Sequence, residues 1–203
     1  MDRDRLENAA KVLACPVKTN APNWQHGRIL YALTRQYLAS HPGFVQCLDI
    51  GTAKGFSALV MRWAIVDAGN DEGQVLSVDV LDPLARVRRN TVAEVDGLKT
   101  LEETLAPWPE AERIWFRQNT GVDGLKVLTR VHVAFVDGKH SFAAVSEEVA
   151  LLAARQQPGD RVMFDDAQIE GVAKAVHAAS SFYDITPFAL LPHRSYLLGV
   201  RRG

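Results

Sequence analysis

Cysteine is scarce in this chain. Cys15 and Cys47 are the only two in 203 residues, without the spacing of a disulfide framework or a zinc site. Cys47 falls in an apolar run, where a thiol behaves as a small hydrophobe, and the pair suggests a reducing compartment. Charge of one sign is lacking too. The formal net charge is −1, so the overall balance attracts neither nucleic acid nor an anionic membrane, and neither is expected as a partner. The cluster Arg86, Arg88 and Arg89 reads as a solvated helix face. No apolar run approaches a membrane span and Met1-Asp2-Arg3-Asp4-Arg5 is no signal peptide, so the expected location is cytoplasmic. Several reaction signatures are also missing. There is no G-x-G-x-x-G of nicotinamide binders, no phosphate-cradling G-x-x-x-x-G-K-S/T and no Gly-x-Ser-x-Gly elbow of hydrolases.

What is present is an ordinary globular composition, 47% hydrophobic and 23% charged, in a length that suits one domain over residues 1–203. Apolar periodicity predicts helices over residues 4–14, 27–40, 56–68, 141–155 and 171–179. Strands are predicted over 44–50, 74–80, 113–118, 131–136, 161–164, 184–191 and 195–201. Strands alternating with helices imply an α/β fold, a doubly wound, mostly parallel seven-stranded sheet. The last two strands, flanking Pro192-His193-Arg194, add an antiparallel hairpin. Residues 1–43 read as an N-terminal helical cap. Residues 82–112 are longer than a normal crossover and read as a lid or substrate wall, with a packing appendage as the plain alternative.

Four acid- and glycine-bearing segments end four of the predicted strands. They are Leu48-Asp49-Ile50-Gly51-Thr52-Ala53-Lys54-Gly55-Phe56-Ser57, Ser77-Val78-Asp79, Val136-Asp137-Gly138-Lys139-His140 and Phe164-Asp165-Asp166. Ligands of open α/β sheets bind beyond the carboxyl ends of the strands, so the four segments predict one site. Gly51 and Gly55 permit a tight strand-to-helix turn. Asp79 stands where a carboxylate can accept ribose hydroxyls; the plain alternative is a turn or cap. Asp137, Asp165 and Asp166 end neighbouring strands, and three converging carboxylates suit a hard divalent cation, Mg²⁺ or Mn²⁺. The alternative is a turn at Asp137-Gly138 and a helix cap at Asp165 or Asp166. His140 titrates near neutral pH and suits a general base, or a local hydrogen bond at the start of a helix.

In this order the segments resemble those of a class I S-adenosylmethionine-dependent methyltransferase. Over residues 27–203 they resemble the divalent-metal O-methyltransferases of the catechol, caffeoyl-CoA and macrocin types. The resemblance implies that Gly51, Thr52, Ala53, Gly55 and Ser57 cradle the methionine part of the cofactor, with Asp49 nearby. It places Asp79 on the ribose and Asn119 and Thr120 near the adenine. Asp137, also beside the cofactor, would hold the metal with Asp165 and Asp166. Asp165-Asp166 follows the macrocin pattern, whereas the catechol type carries Asp-Asn. His140 aligns with the catechol type's catalytic lysine and Lys139 is adjacent; His140 is the favoured base, because an ordinary lysine is protonated at neutral pH. The implied reaction is metal-assisted methyl transfer to a hydroxyl of a small molecule, a catechol-like phenol or a sugar. A metal-independent methyltransferase and a non-catalytic S-adenosylmethionine-binding module are the rivals. Asn-Pro-Pro-Tyr, the marker of exocyclic-amine methylation, is absent. A homodimer stays open. Trp24, Trp108, Trp115 and Tyr196 are expected in the core or lining the substrate pocket.

Overall fold

Seven strands form one sheet in the order β3-β2-β1-β4-β5-β7-β6. The computed structural model that shows them describes residues 2–14, 25–87, 98–191 and 194–203. In chain order the strands are β1 (Gln46–Ile50), β2 (Gln74–Asp79), β3 (Ile114–Gln118), β4 (Val133–Val136), β5 (Arg161–Phe164), β6 (Tyr183–Leu191) and β7 (Arg194–Arg201). β1 to β5 are parallel, and β7 inserts antiparallel between β5 and β6. The order turns back between β1 and β4, and a crevice opens beyond their carboxyl ends.

The helices are α1 (Arg3–Leu13), α2 (Gln25–Ser40), α3 (Phe56–Val66), α4 (Leu101–Leu105), α5 (Gly121–Val127), α6 (Phe142–Arg155) and α7 (Glu170–Ala178). A 3-10 turn spans Pro109–Arg113. Strand alternation divides the core into two layers. Cys47, Val75, Val133, Phe135 and Met163 pack under α1, α2 and α3. Leu48, Ile50, Val78, Val136 and Phe164 pack against α5, α6 and α7. α3 is buried from Phe56 to Ile65 because α1 and α2 cover the side that the sheet does not. Within that layer Arg5 lies over the Trp63 ring, 4.2 Å from its centroid, and pairs with Glu110 at 2.5 Å. Burying a side chain such as Leu59 or Ile65 contributes on the order of 1.5–3 kcal/mol, so this apolar layer anchors the helix that starts at the site.

Most predicted elements agree with the observed ones to within two residues. α5 has no counterpart in the sequence reading; its Gly121-Val122-Asp123-Gly124 start carries two poor helix formers, and Thr120 supplies the cap that makes it a helix. Arg86 lies on an irregular stretch and not on a helix face, and it pairs with Glu103, whose helix α4 begins with a capping box from Thr100. Arg88, Arg89, Cys15, Trp24 and the turn residues Pro192 and His193 lie outside the described residues. Trp108 packs against the first core layer, Trp115 is half exposed on β3, and Tyr196 is buried.

Candidate active site

Parallel register lines up the strand ends. Ile50 pairs with Val78 on one side and Val136 on the other, and Val136 pairs with Phe164. Gly51, Asp79, Asp137 and Asp165 therefore follow at one level along the sheet edge. Gly51 adopts φ +98°, and a Cβ there would stand 2.1 Å from the Asp137 carbonyl oxygen. Only glycine lets β1 and β4 diverge this closely. Gly51 N–H donates to Val78 O at 2.9 Å and Gly55 N–H to Thr52 O at 2.7 Å, closing a loop whose Ala53 also has positive φ. Gly55 then opens α3 in the left-handed region without a side-chain cap, which leaves first-turn amides for a ligand.

Two acids shape this loop. Asp79 accepts from Ala53 N–H at 2.9 Å and from Leu81 N–H at 3.0 Å, so its carboxylate fixes the loop as it faces the crevice. Asp49 lies behind it, fully buried. Ser77 Oγ donates to Asp49 Oδ2 at 2.5 Å, and the Thr52 hydroxyl lies 2.7 Å from Ser77 Oγ. Burial pushes the Asp49 carboxyl up to about 7, against the hydroxyls of Ser77 and Ser57. Asp49 lines neither lobe of the crevice and acts on the loop from beneath.

Asp137, His140 and Asp166 come together. One ligand atom from each lies within 4.8 Å of the other two. His140 Nε2 is 3.3 Å from Asp137 Oδ1 and 3.4 Å from Asp166 Oδ2. The expected third ligand, Asp165, behaves differently from its neighbour. Its side chain is buried and taken by Arg194, with Nε 3.1 Å from Oδ1 and Nη2 2.5 Å from Oδ2. Asp165 Oδ1 also accepts the Asp166 N–H at 2.6 Å, while Asp166 adopts φ +50°. Arg194 with Asp165 thus sets the turn that presents Asp166.

Charge in this cluster is only partly balanced. Burial, then the neighbouring carboxylates of Asp165 and Asp166, push Asp137 up to about 7, while His140 and Arg194 oppose the shift. The hydrogen bond to Asp137 and the surrounding carboxylates raise the His140 imidazole. For Arg194, burial works against the charge, but the bond to Asp165 and the fields of the three acids outweigh it and raise its pKa. Three acids against one guanidinium leave room for a divalent cation. Asp137, Asp166 and His140 offer the donors for it.

The crevice has two lobes. One, about 500 Å³, is lined by the glycine loop, Asp79, Asp137, His140, Asp166 and Arg194. The other, about 580 Å³, is lined by Asn119, Thr120, Lys139 and Glu148. They meet at Gly51, Asp79, Val80, Asp137 and Gly138. Of the sequence-predicted residues, Gly51, Thr52, Ala53, Ser57, Asp79, Asp137, His140 and Asp166 line the first lobe, and Asn119, Thr120 and Lys139 the second. Lys139 and His140, adjacent in sequence, face different lobes.

Three site residues escaped the sequence reading. Arg194 reads in the sequence as part of a turn. His26, at the start of α2, lines the first lobe with its ring centroid 5.1 Å from that of Phe56 and 5.8 Å from that of Phe135. Glu148 sits on the buried face of α6. Only Glu148 left a signal: it falls between Val145 and Leu152 in an apolar stripe, where an acid is out of place.

Residues 48–167 match the model of a protein family described as a methyltransferase domain. No curated protein matches the sequence. Among solved structures, the chain is similar to the O-methyltransferase TomG of Streptomyces achromogenes, involved in tomaymycin synthesis and solved with SAM. The identity is 16%, the match covers 100% of this chain and 92% of that one, and the TM-score is 0.69. It is similar to the O-methyltransferase NovP at 15% identity, with 98% of each chain covered and a TM-score of 0.70. An O-methyltransferase from Bacillus cereus solved with SAH matches at 14% identity over 99% of this chain and 92% of that one, with a TM-score of 0.67.

Proposed function

The chain belongs to the methyltransferase-domain family and has the fold of the class I S-adenosylmethionine-dependent enzymes, and from that premise we propose that it is an O-methyltransferase acting, with a bound divalent cation, on a hydroxylated small molecule. The observation that carries this reading is the convergence of Asp137, His140 and Asp166 beside the glycine loop. A module that only binds a nucleoside has no use for that group.

The roles follow from position. S-adenosylmethionine, when bound, supplies an electrophilic methyl group. Gly51, Thr52, Ala53, Gly55 and Ser57 hold its methionine end, Asp79 its ribose, and Asn119 and Thr120 face its base. Asp137 and Asp166 hold the cation, with Asp165 acting through Arg194 and the Asp166 turn. The cation, Mg²⁺ or Mn²⁺, supplies Lewis acidity that makes a hydroxyl beside a second substrate oxygen easier to ionise. His140 takes the hydroxyl proton at Nε2, and the carboxylates on either side of it stabilise the imidazolium that results. One imidazole nitrogen cannot both ligate and accept that proton. An oxygen-only donor set favours Mg²⁺, whereas ligation by His140 would favour Mn²⁺. TomG and NovP are O-methyltransferases by name, which supports hydroxyl as the acceptor. That the chain works on a small molecule in the cytoplasm rests on its near-zero net charge and scarce cysteine; no helix among the described residues is long and apolar enough to cross a membrane.

A second reading, a metal-independent methyltransferase, draws on the Arg194–Asp165 pair, which already supplies a positive charge at the cluster. Calorimetric titration of Mg²⁺ and Mn²⁺ into the protein saturated with S-adenosylhomocysteine separates the two. One cation site is expected, abolished in Asp137→Ala and Asp166→Ala while S-adenosylhomocysteine still binds. Product binding without any cation site would select the second reading. Failure to bind the product would remove the cofactor assignment itself.

A further inference from the structure

α6 turns a stripe of Val145, Val149 and Leu152 toward the sheet, and Glu148 lies within that stripe, only 4% exposed. Its Oε2 is buried and has no hydrogen-bond partner, and no cation pairs with it among the described residues. Its Oε1 occupies the space that a side chain on Gly121 would take, 2.2 Å from an ideal Cβ there, and lies 3.7 Å from one on Gly138. Gly121 thus leaves room for the carboxyl, which borders the second lobe beside Asn119 and Thr120. Burial, reinforced by the charge of Glu147, pushes the carboxyl up to about 7, against a weaker effect of His140. A buried acid with an open valence is costly unless a ligand completes it.

We propose that Glu148 reads the nucleobase in this lobe: its carboxyl accepts the exocyclic N–H of an adenine and, when protonated, donates to the neighbouring ring nitrogen. The inference rests on the S-adenosylmethionine reading above and adds to it the residue that selects the base. Adenine offers a donor beside an acceptor, and a carboxylic acid offers the matching acceptor beside a donor. The apolar walls of the lobe, Ile50, Val78 and Val122, suit a purine ring and keep water from competing.

The test is calorimetric binding of S-adenosylhomocysteine and of its 6-deamino analogue, which lacks the exocyclic amine, to the wild type, Glu148→Leu and Glu148→Gln. Loss of the amine should weaken wild-type binding by roughly 5- to 30-fold. That ratio should fall to about one in Glu148→Leu and persist in Glu148→Gln, whose amide still accepts and donates. A merely structural role would weaken both ligands alike and leave the ratio unchanged in Glu148→Leu, which overturns the proposal. Equal binding of the two ligands by the wild type overturns it as well, whether or not the variants fold. If no S-adenosylhomocysteine binds the wild type at all, the cofactor reading falls first and this inference with it.

Discussion

His140 and Lys139 show how much one position decides. The sequence places both after β4 as candidate bases, but only His140 lies between Asp137 and Asp166, while Lys139 lines the other lobe. Replacing His140 with alanine should lower turnover by ~10²–10⁴-fold with little change in product affinity, whereas Lys139→Ala should leave turnover near wild type. Steady-state kinetics beside S-adenosylhomocysteine calorimetry tests this, and an undiminished His140→Ala rate would move the proton elsewhere. Asp165 and Asp166 make the same point. They are neighbours of equal chemistry, yet Arg194 engages both oxygens of Asp165 and stands farther off, at 3.7 Å, from Asp166, which the turn presents. A local pattern carries no information on which of two adjacent acids meets a cation from another strand.

At the scale of the element, the decisive piece is the β1–α3 turn. Its glycines were legible because a strand-to-helix reversal over so few residues needs the left-handed region. The reason Gly51 tolerates no side chain lies elsewhere, in the Asp137 carbonyl of β4. Gly51→Ala is expected to displace β4 from β1, lower the melting temperature and weaken S-adenosylhomocysteine binding at least tenfold, a cost of about 1.4 kcal/mol or more. Thermal unfolding and calorimetry on the same variant check both halves, and wild-type affinity would mean that the loop is no cofactor cradle. α5 marks the opposite limit, since its glycines hid a helix that a single threonine cap supports. The described part of the stretch between β2 and β3 carries α4 and the 3-10 turn, and Leu105 of α4 packs on Gly55 at the loop.

For the whole molecule, three acids in partly or fully desolvated settings share one thermodynamic consequence. Burial raises Asp49, Asp137 and Glu148 to about 7, from ordinary values near 4. A raised folded-state pKa contributes stability that is complete below the unfolded value and is lost as pH rises through the folded one. The ligand-free protein should therefore lose stability between about pH 4 and about pH 7, with each acid contributing on the order of 4 kcal/mol at most. Differential scanning calorimetry across that range should show a falling melting temperature, and Glu148→Gln should flatten part of the fall. A melting temperature that climbs over the same range would contradict these environments. By itself the sequence determined the succession of strands and helices, the glycine turn and the acids at the strand ends. These follow from residue periods, breakers and backbone freedom within short windows. Only the tertiary structure decided which acids converge and which are neutralised. β7 enters antiparallel beside β5 and brings Arg194 to Asp165 across 29 residues of chain, and α6 carries Glu148 under a lobe built by β2, β4 and α5. Charge pairing and desolvation act between segments far apart in the chain, so their outcome belongs to the packed molecule.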